Sequence, residues 1–132
     1  MSIQQLYKGP HSAIANSLYC VSRVYHRQGV YKKAKKFGKE SLEMRLEIYG
    51  ERHLKTAESY SRLGAYYLDL KKDKKDKKAL LFSEKSLEIT KAVCGEFHPT
   101  TALSYYLIGM SYEQTERYDL SLELFSKALE IY

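Results

Sequence analysis

Apolar residues recur along the chain at steps of three and four. Leu18, Val21 and Tyr25 form one such set, and Tyr60, Leu63 and Tyr67 form another. That spacing puts each set on one face of an α-helix. Extended Val/Ile/Thr runs are absent and helix formers dominate, so the pattern predicts an all-α chain. Helices are expected from just after His11, His53 and His98 to near Tyr25, Tyr67 and Tyr112. A second set should start around Lys33, Lys77 and Asp119 and end near Tyr49, Val93 and the last residue. Gly50 and Gly95 then stand where helices end, since glycine accepts positive φ without steric cost. Pro99 sits where a first helical turn tolerates proline. Gly38, in mid-helix, costs ~1 kcal/mol against alanine, with no gain visible in the sequence.

The helices come in similar pairs. His11, His53 and His98 lie 42 and 45 residues apart. Alanine follows each four residues later, at Ala15, Ala57 and Ala102. A small residue follows at eleven (Ser22, Gly64, Gly109) and tyrosine at fourteen (Tyr25, Tyr67, Tyr112). Allowing a three-residue insertion in the middle copy, Ala34, Ala79 and Ser121 correspond, as do Phe37, Phe82 and Leu124. The stretches "SLEM", "SLEI" and "ALEI" close the three copies. The chain therefore divides into residues 1–10, 11–52, 53–97 with a lysine-rich insertion at 71–78, and 98–132. "GERH" at 50–53 and "GEFH" at 95–98 are seams between copies. Residues 3–7, "IQQLY", fall in register with the helix end "RLEIY" at 45–49, so residues 1–10 are expected to be the tail of a preceding repeat helix.

This pattern of small and aromatic residues resembles the tetratricopeptide repeat, a helix–turn–helix unit usually of about 34 residues. The longer period and the G-E-x-H seam resemble the variety found in kinesin light chains. The resemblance implies an α-solenoid, a right-handed superhelix whose concave groove is lined by first helices. Mapping the family's groove positions gives Asn16, Tyr19, Arg23, His26 and Arg27 in the first copy. The second copy supplies Glu58, Ser61, Ala65, Leu68 and Asp69, and the third Leu103, Tyr106, Met110, Glu113 and Gln114. The clamp with which chaperone-tail binders of the family hold a terminal carboxylate is not present. Its positions carry Tyr19, Arg23, Arg62, Leu103 and Leu107. Kinesin light chains carry asparagine where Tyr19, Ser61 and Tyr106 stand here. What the mapping implies is a groove basic at one end, where Tyr19, Tyr106 and Met110 could take an apolar anchor.

Charge adds a polarity. The net +6 is distributed as +6 over residues 1–52, +3 over 53–97 and −3 over 98–132. Lys32 and Lys33 should share one basic edge with Lys71, Lys72, Lys74, Lys75, Lys77 and Lys78. Such an edge suits phosphates, acidic lipids or an acidic protein, although no aromatic residues interleave with the lysines as single-strand binders require. Nucleic acid is accordingly the less expected partner.

Chemistry is hard to place on this chain. There is no GxSxG, GxGxxG or GxxxxGK[ST] stretch, and no histidine pair at metal-ligand spacing. Three of the four aspartates lie in or beside one lysine-rich run, so converging carboxylates cannot be argued. The reading is a non-catalytic adaptor or scaffold with no cofactor, no metal and no small-molecule substrate. Its expected partner is a protein or peptide segment, acidic with an apolar anchor. Binding of nucleic acid or an acidic membrane through the lysine edge is the alternative. Cys20 and Cys94 have no CxxC spacing and read as reduced, packed thiols of a cytoplasmic protein. Leu124, Phe125, Ala128, Leu129 and Tyr132 lack a successor helix here, so that face is expected to be covered by self-association or by further repeats of a longer array.

Overall fold

The computed structural model describes residues 11–70 and 77–131. They form α1 (Ser12–Arg27), α2 (Tyr31–Tyr49), α3 (Leu54–Leu70), α4 (Lys78–Cys94), α5 (Pro99–Gln114) and α6 (Tyr118–Ile131). Each expected helix is present with ends within a few residues of the sequence reading. The proposed helix tail at 1–10, the insertion residues 71–76 and Tyr132 lie outside the described residues.

The three histidines are explained by what their rings accept. Nδ1 of His11, His53 and His98 accepts the backbone N–H of Ala13, Lys55 and Thr100 at 3.2, 3.0 and 3.1 Å. Each thereby satisfies one of the amides that a helix start leaves without an intrahelical partner. Gly50 and Gly95 end the preceding helices at φ +80° and +82°. Thr56 and Thr101 then donate to the carbonyls of Gly50 and Gly95, at 2.8 and 3.3 Å. One seam is thus written twice in the same hydrogen bonds.

Every helix packs on its predecessor, and the array is an α-solenoid of paired helices. First helices also touch one another across pairs, α1 with α3 and α3 with α5, whereas second helices share at most a marginal contact. First helices therefore line the inner face, and second helices splay apart on the outer one. Ile14, Ala15, Leu18 and Met44 fill the first layer, and Leu42, Leu63, Tyr66 and Ile89 lie in the central one. Gly38 belongs to that packing. A Cβ there would sit 3.0 Å from the Tyr66 ring and 3.2 Å from Leu63, so its absence lets α2 close onto α3.

Small polar residues fill the interhelical space to a degree that hydrophobic periodicity does not reveal. Ser41 donates to the Ala15 carbonyl (3.1 Å), and Ser104 donates to Ser86 (2.9 Å), which also contacts Ser61. Among the described residues, no buried side-chain nitrogen or oxygen lacks a hydrogen-bond partner. Burial is therefore achieved without the penalty of an orphaned polar group. Cys20 and Cys94 are unpaired, but they correct the reading of packed thiols. Both are exposed, because Cys20 faces away from the Ile14–Leu18 stripe and Cys94 ends α4 at the seam.

Candidate functional site

The inner face is organised by a ladder between α1 and α3. Arg62 Nε donates to the Tyr19 hydroxyl at 3.1 Å, Ser22 and Tyr66 share a hydrogen bond at 2.8 Å, and His26 Nε2 donates to an Asp69 carboxylate oxygen. The three rungs leave α1 at steps of three and four, the same spacing that defines one helical face. A corresponding contact, Ser61 to Ser104 at 3.3 Å, joins α3 to α5. Small hydroxyls permit the close approach of first helices that this requires.

Tyr19 is the best-held ring of the set. The Arg45 guanidinium lies 4.3 Å from its centroid, and Arg23 lies at 5.8 Å. Arg45 is 1% exposed. It donates to the Lys55 carbonyl (2.9 Å) and Ser59 Oγ (3.0 Å), with Glu58 at 3.8 Å. Burial lowers the pKa of its guanidinium, and the Glu58 carboxylate opposes that shift. Three helices thus fix one phenol: α1 carries it, α2 supplies the cation against its ring, and α3 supplies the donor to its oxygen. Arg62 stands at one of the family's clamp positions, whereas Arg45 is not marked as a groove residue by periodicity. Arg45 reads as a polar position of a second helix, and only its total burial reveals the role.

The expected groove residues separate into two groups. Asn16 and Arg27 are exposed on α1, and Tyr19, Arg23 and His26 are half-buried beside them. Ser61, by contrast, is buried in the Ser86–Ser104 contact. Ala65, Leu103 and Met110 are partly buried against Leu68, Ala79 and Leu107, so they pack between helix pairs. Tyr106 is 46% exposed and leans on Phe125 of α6, centroids 5.7 Å apart. The accessible polar cluster is therefore at the α1 end, where Arg62 and Asp69 complete it.

The expected basic edge is only partly in view. Lys32, Lys33, Lys77 and Lys78 are exposed, while Lys71, Lys72, Lys74 and Lys75 lie outside the described residues. Aromatic rings do accompany these lysines, contrary to the linear reading. The Lys33 ammonium lies 5.4 Å from the Tyr25 centroid, and that of Lys78 lies 5.5 Å from Tyr67. The rings come from first helices, some way from the lysines in sequence.

The face expected to self-associate also changes in detail. Ala128 is buried and Leu124 and Phe125 are half-buried, because α6 folds them onto α5. The exposed apolar residues of α6 are Tyr118, Leu122 (66%) and Leu129 (74%). Among the described residues, no helix is long and apolar enough to cross a membrane. No group of three His, Cys, Asp or Glu side chains among them could hold a metal ion.

Comparison with known proteins places this architecture. No curated protein sequence matches the chain. The crystal structure of BtubC (BKLC) from P. vanneervenii superposes with a TM-score of 0.80 over 92% of this chain, at 19% identity. The chain spans 47% of that protein's length, and at this identity the likeness is one of fold. The tetratricopeptide repeat family matches twice, over residues 13–76 and 70–132. With nearly every residue covered, the chain belongs to the tetratricopeptide repeat family.

Proposed function

We propose that this chain is a non-catalytic adaptor or scaffold module that holds a peptide segment of a partner protein on its inner face, at the α1–α3 end. Tetratricopeptide repeats generally mediate protein–protein interaction, and their scaffold is generally non-catalytic. The observation that carries the more specific reading is the fixed phenol of Tyr19, bonded by Arg62 and flanked by Arg23 and Arg45. A preorganised aromatic edge beside arginines suits a peptide with an apolar anchor next to a carboxylate. Arginine meets a carboxylate with a planar fork of donors, and little side-chain entropy remains to be lost on binding. The two exposed, unpaired thiols fit a reducing, cytoplasmic setting.

Selection from a random peptide library tests the reading. Peptides enriched on the wild-type chain should carry an acidic residue near an aromatic or aliphatic one. They should lose at least about tenfold in affinity for the Arg23→Glu, Arg27→Glu variant, since each reversed contact turns attraction into repulsion. Unchanged affinity in a variant that keeps its helicity would remove the inner-face reading.

A further inference from the structure

We infer that the outer face carries a second docking track, separate from the inner-face site, that takes an acidic polypeptide segment along a row of cation-capped tyrosines. The tyrosines are the repeat-related Tyr25, Tyr67 and Tyr112. Each is half-buried, and each has a cation from the start of the second helix of its own pair near its ring. Lys33 lies 5.4 Å from the Tyr25 centroid, Lys78 lies 5.5 Å from Tyr67, and Arg117 lies 5.7 Å from Tyr112. The feature repeats with the fold, so it is a row.

The row is strongest at Tyr67. Lys35 and Lys39 of α2 reach the same ring from the neighbouring pair, at 5.6 and 5.7 Å. The ammonium groups of Lys35 and Lys39 thus meet at the seam between α2 and α4, with Lys78 on the α4 side of the same ring. Among the described residues, no carboxylate lies within ion-pairing distance of Lys35 or Lys39. The like charges of Lys35 and Lys39, both held at the Tyr67 ring, repel one another, and an anion in the seam relieves that repulsion. Cation–π contact meanwhile holds the lysines near the ring, which reduces the ordering cost of binding.

The chemistry favours a polypeptide over a nucleic acid or a bilayer. Tyr67 already stacks on Phe82, centroids 5.4 Å apart, and Tyr25 on Phe37 at 5.7 Å. These ring faces are occupied within the protein, so they offer bases no free platform of the kind single-strand binders use. A planar bilayer meets the outermost lysines and does not enter a seam.

The test uses a fluorescent oligoglutamate peptide of about twelve residues at about 0.1 M salt, with oligothymidylate and phosphatidylserine vesicles as parallel arms. The peptide should bind the wild-type chain, and Lys35→Gln with Lys39→Gln should weaken it about tenfold, as expected for two lost charge contacts. Lys35→Arg with Lys39→Arg should retain binding, and the Lys35→Gln, Lys39→Gln variant should bind the library-selected inner-face peptide as wild type does. That last arm separates failure here from failure of the inner-face reading. Peptide binding indifferent to the glutamine substitutions overturns the inference. Tighter binding of oligothymidylate or vesicles than of the peptide overturns it as well.

Discussion

The guanidinium of Arg45 rests 4.3 Å from the centroid of the Tyr19 ring, and it is almost wholly shielded from water. A buried cation is costly unless it is paired and hydrogen-bonded. Here the ring, the Lys55 carbonyl, Ser59 and Glu58 together offset that cost. Arg45→Ala should therefore destabilise the chain by about 2–4 kcal/mol, through a cavity and orphaned acceptors. It should also weaken peptide capture beyond the loss of folded protein, because Tyr19 loses its backing. Denaturant titration and anisotropy on the same sample separate the two effects.

Gly64 lets α3 and α4 approach closely. A Cβ there would lie 2.5 Å from Ser83 Oγ and 3.3 Å from the Ala79 carbonyl oxygen, and Ser83 is pinned by its bond to that same carbonyl at 2.8 Å. Gly64→Ala should cost about 1–3 kcal/mol despite the ~1 kcal/mol gained in helix propensity. Adding Ser83→Ala removes the clashing oxygen and should recover part of the loss. Strict additivity in the double-mutant cycle would show that the two residues do not meet.

Tyr66 gives the fold an alkaline limit. Burial raises its pKa above the ordinary 10.0, against smaller opposing effects of Ser22 and Arg62. Burial likewise raises Tyr60 and Tyr105. A raised folded-state pKa means the folded chain holds the phenolic proton more tightly than the unfolded chain. Stability from these residues is then complete below about pH 10 and falls as pH rises toward the folded values. Denaturation midpoints should be level between about pH 8 and 9 and drop by about pH 11. In Tyr66→Phe the drop should be shallower.

The arrangement of helices was legible because each signal is local. Histidine at a helix start, glycine after a helix end and apolar steps of three and four all act within a few residues. The roles of Arg45, Ser61 and Lys35 were not legible, because they depend on which helix meets which face. Ser61 has the sequence position of a groove residue, yet the close approach of α3 to α5 buries it. Lys35 and Lys39 are four residues apart on α2, and nothing in the sequence sets the Tyr67 ring of α3 beside them. The unlike chemistry of the two faces follows from such distant pairings.

Leu122 and Leu129 present aliphatic surface on α6 at 66% and 74% exposure, with Tyr118 on the same helix. A second copy covering this surface would gain roughly 25 cal/mol per Å² of apolar area removed from water. Sedimentation at micromolar concentration should show reversible self-association. Leu122→Glu with Leu129→Glu should abolish it while leaving the melting temperature of the dilute chain nearly unchanged.

The central claim is that partner segments lie on first helices at the α1–α3 end. Amide hydrogen exchange of the chain, free and saturated with a library-selected peptide, tests it most directly, since exchange reports protection element by element. Slowed exchange should concentrate in Ser12–Arg27 and Leu54–Leu70, with α6 unaffected. Protection confined to α2, α4 or α6, with α1 and α3 unchanged, would contradict the account.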